Sequence, residues 1–327
     1  MEIGKVPNDV LKEIILDKIK YNRPEVLIRP KIGEDCCAID FGEHVCVMSS
    51  DPITGAVNEI GRLAVHINCN DIASSGVEPL GLMVTILAPP ETTKEDLASI
   101  MGQICETANF LNIDILGGHT EITAAVNRVV IMSTAVGKVL KEKLVTTSGA
   151  RPGDSIILTK SAGIEGTAII AHDREEELIQ CLSNEQLVRA KGFVNSISVI
   201  QEGRIAGEFG VTSMHDVTEG GVLGALWEVA EASDIGVEIY RDKIPVERET
   251  LEICEKFGID PLRLISSGCM LITCGNGEEL VKVLQAEGVK ATIIGIVTSG
   301  VEKILVSDGT KVRIDPPGTD ELYKVIG

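Results

Sequence analysis

The sequence predicts a layered α/β protein with two domains, and three observations support this prediction. The chain has 327 residues, which is enough for two hydrophobic cores. Its hydrophobic content of 44% is ordinary for a globular protein. Short apolar segments with strand character alternate along the chain with longer segments of helical periodicity. That alternation is typical of helices layered on sheets.

The first half of the chain alternates helices with strands. Its clearest helix begins at Thr93, because Leu97 and Ile104 belong to an apolar face at helical spacing. A charged amphipathic helix is predicted over residues 7–20, where an acidic residue lies in the first turn. A further helix is predicted at residues 58–75, and strands at residues 36–39, 45–49, 80–88, 113–116 and 128–139.

The apolar pattern breaks at residues 146–154, which are polar and contain Pro152-Gly153. We therefore predict an N-terminal domain over residues 1–148 and a C-terminal domain over residues 149–327. In the second half, strands are predicted at residues 155–160, 211–214, 237–240, 269–274, 292–297 and 303–306, and helices at residues 185–201, 249–257, 278–287 and after Gly220-Gly221.

The charge and composition exclude several classes of partner. A formal net charge of −19 argues against binding to DNA, RNA or an anionic membrane surface. The sequence shows no signal peptide and no apolar stretch of the roughly 18 residues that a membrane span needs. The nine cysteines are scattered without a CxxC pair, which indicates free thiols in a reducing compartment. We expect a soluble, cytoplasmic protein.

Five polar clusters are the most informative feature of the chain. They are Gly33-Glu34-Asp35, Ser50-Asp51-Pro52, Asn70-Asp71, Gly117-Gly118-His119-Thr120-Glu121 and His215-Asp216-Val217-Thr218-Glu219-Gly220-Gly221. Each places an oxygen ligand beside glycine, proline or a helix end, where backbone amides can face a ligand. Converging carboxylates repel each other unless a cation lies between them, and Mg²⁺ prefers such hard oxygen ligands. The clusters therefore predict a site for ATP with Mg²⁺.

Each cluster taken alone also has a structural explanation. Asp51 can cap a turn, and Asn70 and Asp71 can lie on the solvated face of a helix. The apolar flank of Asp35 makes a purely structural role harder to assign there. Residues 215–221 suit either a metal–phosphate unit or a capped helix start. Neither a Walker A loop nor a dinucleotide-binding GxGxxG occurs in the sequence.

Three further runs, taken in order with these clusters, carry a resemblance to a known superfamily. They are Ser49-Ser50-Asp51-Pro52-Ile53, Asn70-Asp71-Ile72-Ala73-Ser74-Ser75-Gly76-Val77-Glu78-Pro79-Leu80 and Asp260-Pro261-Leu262. Over roughly residues 32–306 the chain resembles the aminoimidazole ribonucleotide (AIR) synthase superfamily. That superfamily includes AIR synthase, thiamine-monophosphate kinase and selenide water dikinase. The resemblance is closest to the hydrogenase-maturation factor HypE.

The resemblance implies a two-domain AIR synthase-like fold. Its N-terminal sheet forms a barrel across a homodimer, and its C-terminal domain is an α/β sandwich. The resemblance also implies ATP and Mg²⁺ in the cleft between the domains, with phosphoryl transfer to a carbonyl, amide or phosphate acceptor. The implied metal ligands are Asp35, Asp71, Glu121 and Asp216. The implied nucleotide-binding residues are Asp51, Asn70, Gly117, Gly118, His119, Thr120 and Glu219.

The chain departs from HypE at two places. His119 stands where HypE has aspartate, so Glu121 is the candidate replacement for that acid. HypE carries a C-terminal cysteine that receives a carbamoyl group, whereas the last cysteine here is Cys274. We therefore expect a HypE-like enzyme with an altered acceptor, which is an unidentified small molecule or protein. The alternatives are a thiamine-monophosphate kinase-like enzyme, or a nucleotide-binding or partner-binding protein without turnover.

Overall fold

Two β-sheets organise the protein in the computed structural model, which describes residues 4–54 and 59–326. The strands are β1 (Val26–Ile28), β2 (Cys37–Asp40), β3 (His44–Ile53), β4 (Pro79–Ala88), β5 (Asp114–Ile122), β6 (Val130–Leu140), β7 (Ser155–Thr159), β8 (Ser213–Val217), β9 (Gly236–Tyr240), β10 (Cys269–Cys274), β11 (Ala291–Thr298), β12 (Lys303–Ser307) and β13 (Thr310–Arg313). The helices are α1 (Asn8–Ile14), α2 (Ile60–Ser74), α3 (Lys94–Leu111), α4 (Ile164–Asp173), α5 (Glu175–Leu178), α6 (Asn184–Gly192), α7 (Ile200–Phe209), α8 (Gly221–Ser233), α9 (Arg248–Phe257), α10 (Gly277–Ala286) and α11 (Tyr323–Ile326).

The N-terminal half is a six-stranded sheet covered on one face by α2 and α3. Its strand order is β1-β2-β3-β6-β4-β5, and it is open, with β1 and β5 at its edges. The alternating burial of β3 and β6 points one side chain in two toward the helices. The start of α3 is fixed as predicted, because Thr93 and Asp96 form a reciprocal capping box. Helix and sheet together enclose one apolar core.

The C-terminal half is an α/β sandwich around a seven-stranded mixed sheet, as predicted. Its order is β13-β12-β9-β11-β7-β10-β8, with β9 and β12 parallel. On one face, Ile156 and Leu271 pack in a core that includes residues of α8. On the other face, Ile157 and Met270 pack in a core that includes residues of α7 and α10. The strands are therefore apolar on both faces, which is why they appear in the sequence as continuous apolar runs.

Helix α2 joins the two halves. All but one of its residues are buried, because one side packs on the first sheet and another meets α7 and β8. Helix α7 approaches so closely that a Cβ at Gly203 would lie 2.2 Å from the Ala73 carbonyl oxygen. The amide of Asn70 donates to Ile197 O at 2.7 Å and accepts from the Val199 N–H at 2.9 Å. Residues of α2 are thereby held firmly against the second half of the molecule.

The structure corrects several predicted elements. The predicted helix over residues 185–201 is two helices, α6 and α7, with a break between them. The strand predicted at residues 113–116 is longer than expected, because β5 continues through Gly117–Glu121 as far as Ile122. The predicted helix over residues 7–20 ends early, at Ile14, and a 3₁₀ turn follows. Strand β13 and helix α11 had no predicted counterpart. Residue 58, where the second helix was predicted to begin, lies outside the described residues.

Among the residues that the structure describes, no helix combines the length and the apolar character that crossing a membrane requires.

Candidate active site

Buried charged groups meet where the two halves of the molecule touch. Strand β8 is an edge strand of the second sheet, and α2 packs beside it. His215 and Asp216 on β8 and Asp71 on α2 are each only 2% exposed. Charged side chains are almost never this buried unless they are paired or bind a ligand. The junction of α2 with β8 is therefore the candidate functional site.

His215 lies between two carboxylates. Its Nε2 is 3.1 Å from Glu228 Oε2, and its Nδ1 is 3.0 Å from Asp35 Oδ2. The Nδ1 contact has the distance of an ion pair without the alignment of a hydrogen bond. Burial alone would lower the pKa of His215, but attraction to Asp35 and Glu228 outweighs it and holds the pKa well above its usual range. His215 is therefore a fixed cation inside an acidic site.

The carboxyl groups of Asp71 and Asp216 are destabilised as anions. Burial, together with repulsion from Asp216, Asp51 and Asp35, holds the pKa of Asp71 well above its usual range. Burial and repulsion from Asp35 and Asp51 raise the pKa of Asp216 to about 7, against attraction to His215. The Ser49 hydroxyl donates to Asp71 Oδ2 at 2.5 Å and orients that carboxyl group. The two acids therefore lie close enough to the other carboxylates of the site for their charges to interact.

The pKa of Asp35 is shifted downward, in the opposite direction to the pKa values of Asp71 and Asp216. Loss of hydration would raise its pKa, but the positive charge of His215, with Lys5 adding attraction, lowers the pKa to about 2. Asp35 is therefore ionised at any physiological pH. It reaches β8 from the loop before β2, so its position depends on the docking of that loop. Glu34, one residue earlier, secures the loop by accepting the backbone N–H of Ser148 at 3.1 Å.

These residues suit a divalent metal ion. One ligand atom from each of Asp35, His215 and Asp216 lies within 4.8 Å of the others. The Asp216 Oδ2 atom is buried and has no hydrogen-bond partner, so one hard oxygen ligand is free. A carboxylate-rich donor set is the kind that Mg²⁺ prefers. Because His215 is paired with two carboxylates, the oxygen atoms of Asp35 and Asp216 are the better ligands.

Lys5 also reaches this cluster, from the N-terminal segment. Its Nζ lies 3.4 Å from Thr218 Oγ1, and its backbone N–H donates to Glu219 Oε2 at 3.3 Å. Asp51 belongs to the same charged group, because burial raises its pKa and attraction to Lys5 partly offsets that effect. The sequence had no signal for Lys5, since its role depends on contacts with residues more than two hundred positions away.

Both carboxylate oxygens of Glu219 accept hydrogen bonds within the protein, so Glu219 is not a free ligand. Its carboxylate accepts the Lys5 N–H through Oε2 and the Tyr323 hydroxyl, at 3.1 Å, through Oε1. Tyr323 is delivered by the docked C-terminal segment, where Asp320 is 1% exposed and accepts the backbone N–H groups of Gly220 and Ile265 at 2.7 and 3.2 Å. The two ends of the chain thus meet beside the acidic cluster.

Of the two explanations for residues 215–221, the contacts at the start of helix α8 favour a capped helix start. The Gly220 N–H donates to Asp320, and the Gly221 N–H donates to Thr218 O at 3.1 Å. The Leu223 N–H donates to Leu262 O at 3.0 Å. Three of the first amides are therefore used within the protein, so they are not free for a phosphate.

The Gly117–Glu121 cluster lies apart from the acidic site within one chain. Across the sheet, Asp51 on β3 is paired with Ser133 on β6, Ser133 with Val84 on β4, and Val84 with Gly118 on β5. Three strand spacings separate them, which is about 14 Å. In β5, His119 Nε2 lies 3.4 Å from Glu121 Oε2, and both side chains are exposed. One chain alone therefore does not bring Glu121 to Asp35, Asp71 and Asp216.

Gly118 and Asn70 have structural explanations. A Cβ at Gly118 would lie 1.7 Å from Val84 O, so the approach of β4 to β5 requires glycine there. A Cβ at Gly117 would meet nothing within 4 Å. Both ends of the Asn70 amide are used to hold the segment before α7. The sequence analysis named His215 and Ser49 within its motifs but assigned neither of them a role in the site, where Ser49 orients Asp71. It missed Glu228, which pairs with His215, and Lys5.

Comparison with known proteins identifies the family. The family profile described as AIR synthase related protein, N-terminal domain, matches residues 33–139, and the profile of the corresponding C-terminal domain matches residues 151–307. The chain belongs to the AIR synthase-related family. A putative hydrogenase expression/formation protein of Methanocaldococcus jannaschii is 30% identical, over 98% of this chain and 97% of that protein.

The similarity extends to HypE proteins in sequence and in fold. The carbamoyl dehydratase HypE of Azotobacter vinelandii is 28% identical, over 77% of this chain and 75% of that protein. The fold matches HypE in a HypE–HypF complex with a TM-score of 0.78 at 23% identity, over 94% of this chain and 99% of that one. It matches HypE in complex with ATP with a TM-score of 0.72 at 21% identity, over 97% and 96% of the two chains.

Proposed function

We propose that this protein is an ATP- and Mg²⁺-dependent phosphoryl-transfer enzyme, related to HypE, that activates a carbonyl, amide or phosphate acceptor. The observation that carries the proposal is the group formed by Asp35 with the buried Asp71 and Asp216, whose carboxylates repel each other at the junction of the two halves. Unless it binds a cation, such a group costs stability at neutral pH. The resemblance in sequence and fold to proteins that include an ATP-bound HypE supports ATP as the ligand.

Each residue of the site has a distinct role in this proposal. Asp35, Asp71 and Asp216 hold the metal, and Mg²⁺ bound there would neutralise the charge of the ATP phosphates. Ser49 orients Asp71, and His215 fixes Asp35. These contacts set the position of the carboxylates before the nucleotide arrives, which reduces the reorganisation that binding requires.

We propose that the acceptor is an external group rather than a thiol of residues 319–326. These residues contain no cysteine and pack against the protein through buried Asp320, Leu322 and Val325. The Arg174 guanidinium donates to Val325 O and fastens their end. An external small molecule or a protein group is therefore the better candidate for the acceptor.

We further propose a homodimer formed through the N-terminal sheet. The face opposite α2 and α3 exposes large apolar side chains on three adjacent strands, at Leu80, Met83, Leu116 and Met132. Such an apolar face on an open sheet indicates a protein partner. A second copy would also be the source of Glu121 for the metal site, because the same chain holds Glu121 too far away.

Turnover is tested with radiolabelled ATP and Mg²⁺, with and without a pool of metabolites. We expect ATP-dependent product with the wild-type protein and at least about a hundredfold less with Asp216→Asn. Asp308→Asn is the matched control, since it makes the same change in an exposed turn. ATP binding without product from any pool would favour a nucleotide-binding protein over an enzyme. Equal product from wild type and Asp216→Asn would contradict the assigned site.

A further inference from the structure

Lys5 brings a positive charge to the carboxylates that we propose hold the metal. Its ammonium lies 3.4 Å from Thr218 Oγ1, and its backbone is bound to Glu219. The adjacent Gly4 packs on the C-terminal helix, because a Cβ there would lie 3.5 Å from Tyr323 Cε2. Both the backbone and the side chain of Lys5 are therefore held beside the loop that follows β8.

The charges of the site converge on this ammonium. Loss of hydration beside the cluster would lower the pKa of Lys5, but attraction to Glu228, Asp35, Asp51 and Glu219 raises it above its usual value. These carboxylates come from α8, from the loop before β2, from β3 and from the loop after β8. Asp35 belongs to the metal site proposed above, and Lys5 also attracts Asp216 of the same site.

Glu219 couples this lysine to the C-terminal helix. One carboxylate oxygen of Glu219 holds the Lys5 N–H and the other holds the Tyr323 hydroxyl. Tyr323 in turn follows the buried Asp320, which is anchored on the Gly220 N–H at 2.7 Å. Because Glu219 is bound from both sides, the N-terminal segment has a defined position over the cluster rather than a loose one.

We infer that the Lys5 ammonium competes with a divalent cation for the carboxylates of Asp35 and Asp216. The site would thereby select a metal–nucleotide complex over the free metal ion. The inference rests on the proposed function, since it assumes that the cluster binds a metal. Two cations that share the same carboxylates repel each other, so each weakens the binding of the other. The phosphates of a metal–nucleotide complex give the ammonium a new anionic partner, so the repulsion is offset.

The test uses Mn²⁺ as the probe and compares the full wild-type chain with Lys5→Met. In the absence of nucleotide, we expect Lys5→Met to bind free Mn²⁺ about tenfold more tightly than wild type. With ATP present, we expect Lys5→Met to bind Mn²⁺–ATP more weakly, because the partner of the phosphates is lost. Lys12→Met is the matched control: it removes the same charge from exposed α1, and we expect less than about a twofold change. Melting temperatures establish that each variant is folded.

The outcomes separate this inference from the proposed function. If wild type binds Mn²⁺–ATP and Lys5→Met binds free Mn²⁺ no more tightly than wild type, the inference alone is wrong. Equal tightening in Lys5→Met and Lys12→Met would also contradict it, since the effect would then be one of net charge. If neither wild type nor Lys5→Met binds Mn²⁺ even with ATP, both the inference and the proposed metal site fail.

Discussion

At the scale of single residues, Asp216 links metal binding to pH. Its pKa of about 7 means that protons compete with the metal for the carboxylate near neutral pH. Affinity for Mg²⁺–ATP should therefore fall as the pH drops below about 7, by up to about tenfold per pH unit. Asp216→Asn should weaken binding by about 1–3 kcal/mol and remove most of this dependence. Calorimetry at a series of pH values tests this, and a flat profile for wild type would contradict it.

A second prediction for a single residue concerns His66 and the pH dependence of folding stability. It is 4% exposed, and burial, reinforced by Arg62 and Lys160, lowers its pKa to about 4 from 6.5. The unfolded chain therefore binds the proton first as the pH falls, so the stability contributed by neutral His66 is present above about pH 6.5 and is lost toward pH 4. Between about pH 7 and pH 5 this loss is about 2 kcal/mol.

Replacement of His66 removes that group from the titration. We expect the free energy of unfolding of His66→Gln to fall by about 2 kcal/mol less than that of wild type over this pH interval. Denaturant unfolding at the two pH values measures the difference directly. Comparing the two proteins cancels the contributions of other groups that titrate in the same range, such as Asp320, whose pKa burial raises to about 6. Parallel losses in both proteins would show that His66 does not carry the effect.

At the scale of elements, the contact between β4 and β5 depends on Gly118. A side chain there would collide with Val84 O, and the backbone φ of +153° is one that other residues rarely adopt. Gly118→Ala should lower the free energy of unfolding by about 2–3 kcal/mol. The matched substitution is Gly102→Ala in α3, where a Cβ meets nothing within 4 Å. It should raise stability by about 0.5–1 kcal/mol, because glycine is a poor helix former. Denaturant melts that gave both variants the same sign would contradict this account.

The elements that could be predicted from sequence are those fixed by local contacts. The start of α3 depends on Thr93 and Asp96, three residues apart, and the strand-to-helix transition at Gly220-Gly221 depends on adjacent glycines. The break between α6 and α7 could not be predicted, because it depends on a distant residue. Asn70 of α2 forms hydrogen bonds with the backbone of Ile197 and Val199. The extension of β5 past residue 116 could not be predicted either, because paired glycines are frequent in turns, whereas here the close approach of Val84 requires Gly118 in a strand.

The same distinction applies to the candidate site. Asp35, Asp71 and Asp216 were predicted as metal ligands because a resemblance in ordered motifs retains information about distant contacts. The structure gathers these three residues. Lys5 and Glu228 belong to no such motif, and their proximity to Asp35 depends entirely on the folded chain. Pairing of His215 with two carboxylates likewise could not be read from the neighbours of His215 in sequence.

At the scale of the whole molecule, the exposed apolar face of the first sheet predicts a dimer. Met83 is 51% exposed and lies at the centre of that face, on strand β4 between β5 and β6. Met83→Glu should shift the protein toward a monomer, because a buried unpaired charge is costly. Ile179→Glu, at an apolar residue that is 56% exposed in the other half, serves as the control and should leave the oligomer unchanged. Light scattering at micromolar concentration decides, and a wild-type monomer would reject the proposed dimer.

We expect this acidic site to bind ATP only together with a divalent metal. A net charge of −19 and the crowded carboxylates of Asp35, Asp71 and Asp216 repel free polyphosphate, whereas Mg²⁺ joins the two sets of anions. The most direct test is calorimetry of ATP binding with Mg²⁺ and with the metal removed by a chelator. We expect measurable binding with Mg²⁺ and at least about a hundredfold weaker binding without it. Equal affinity in the two conditions would contradict the account.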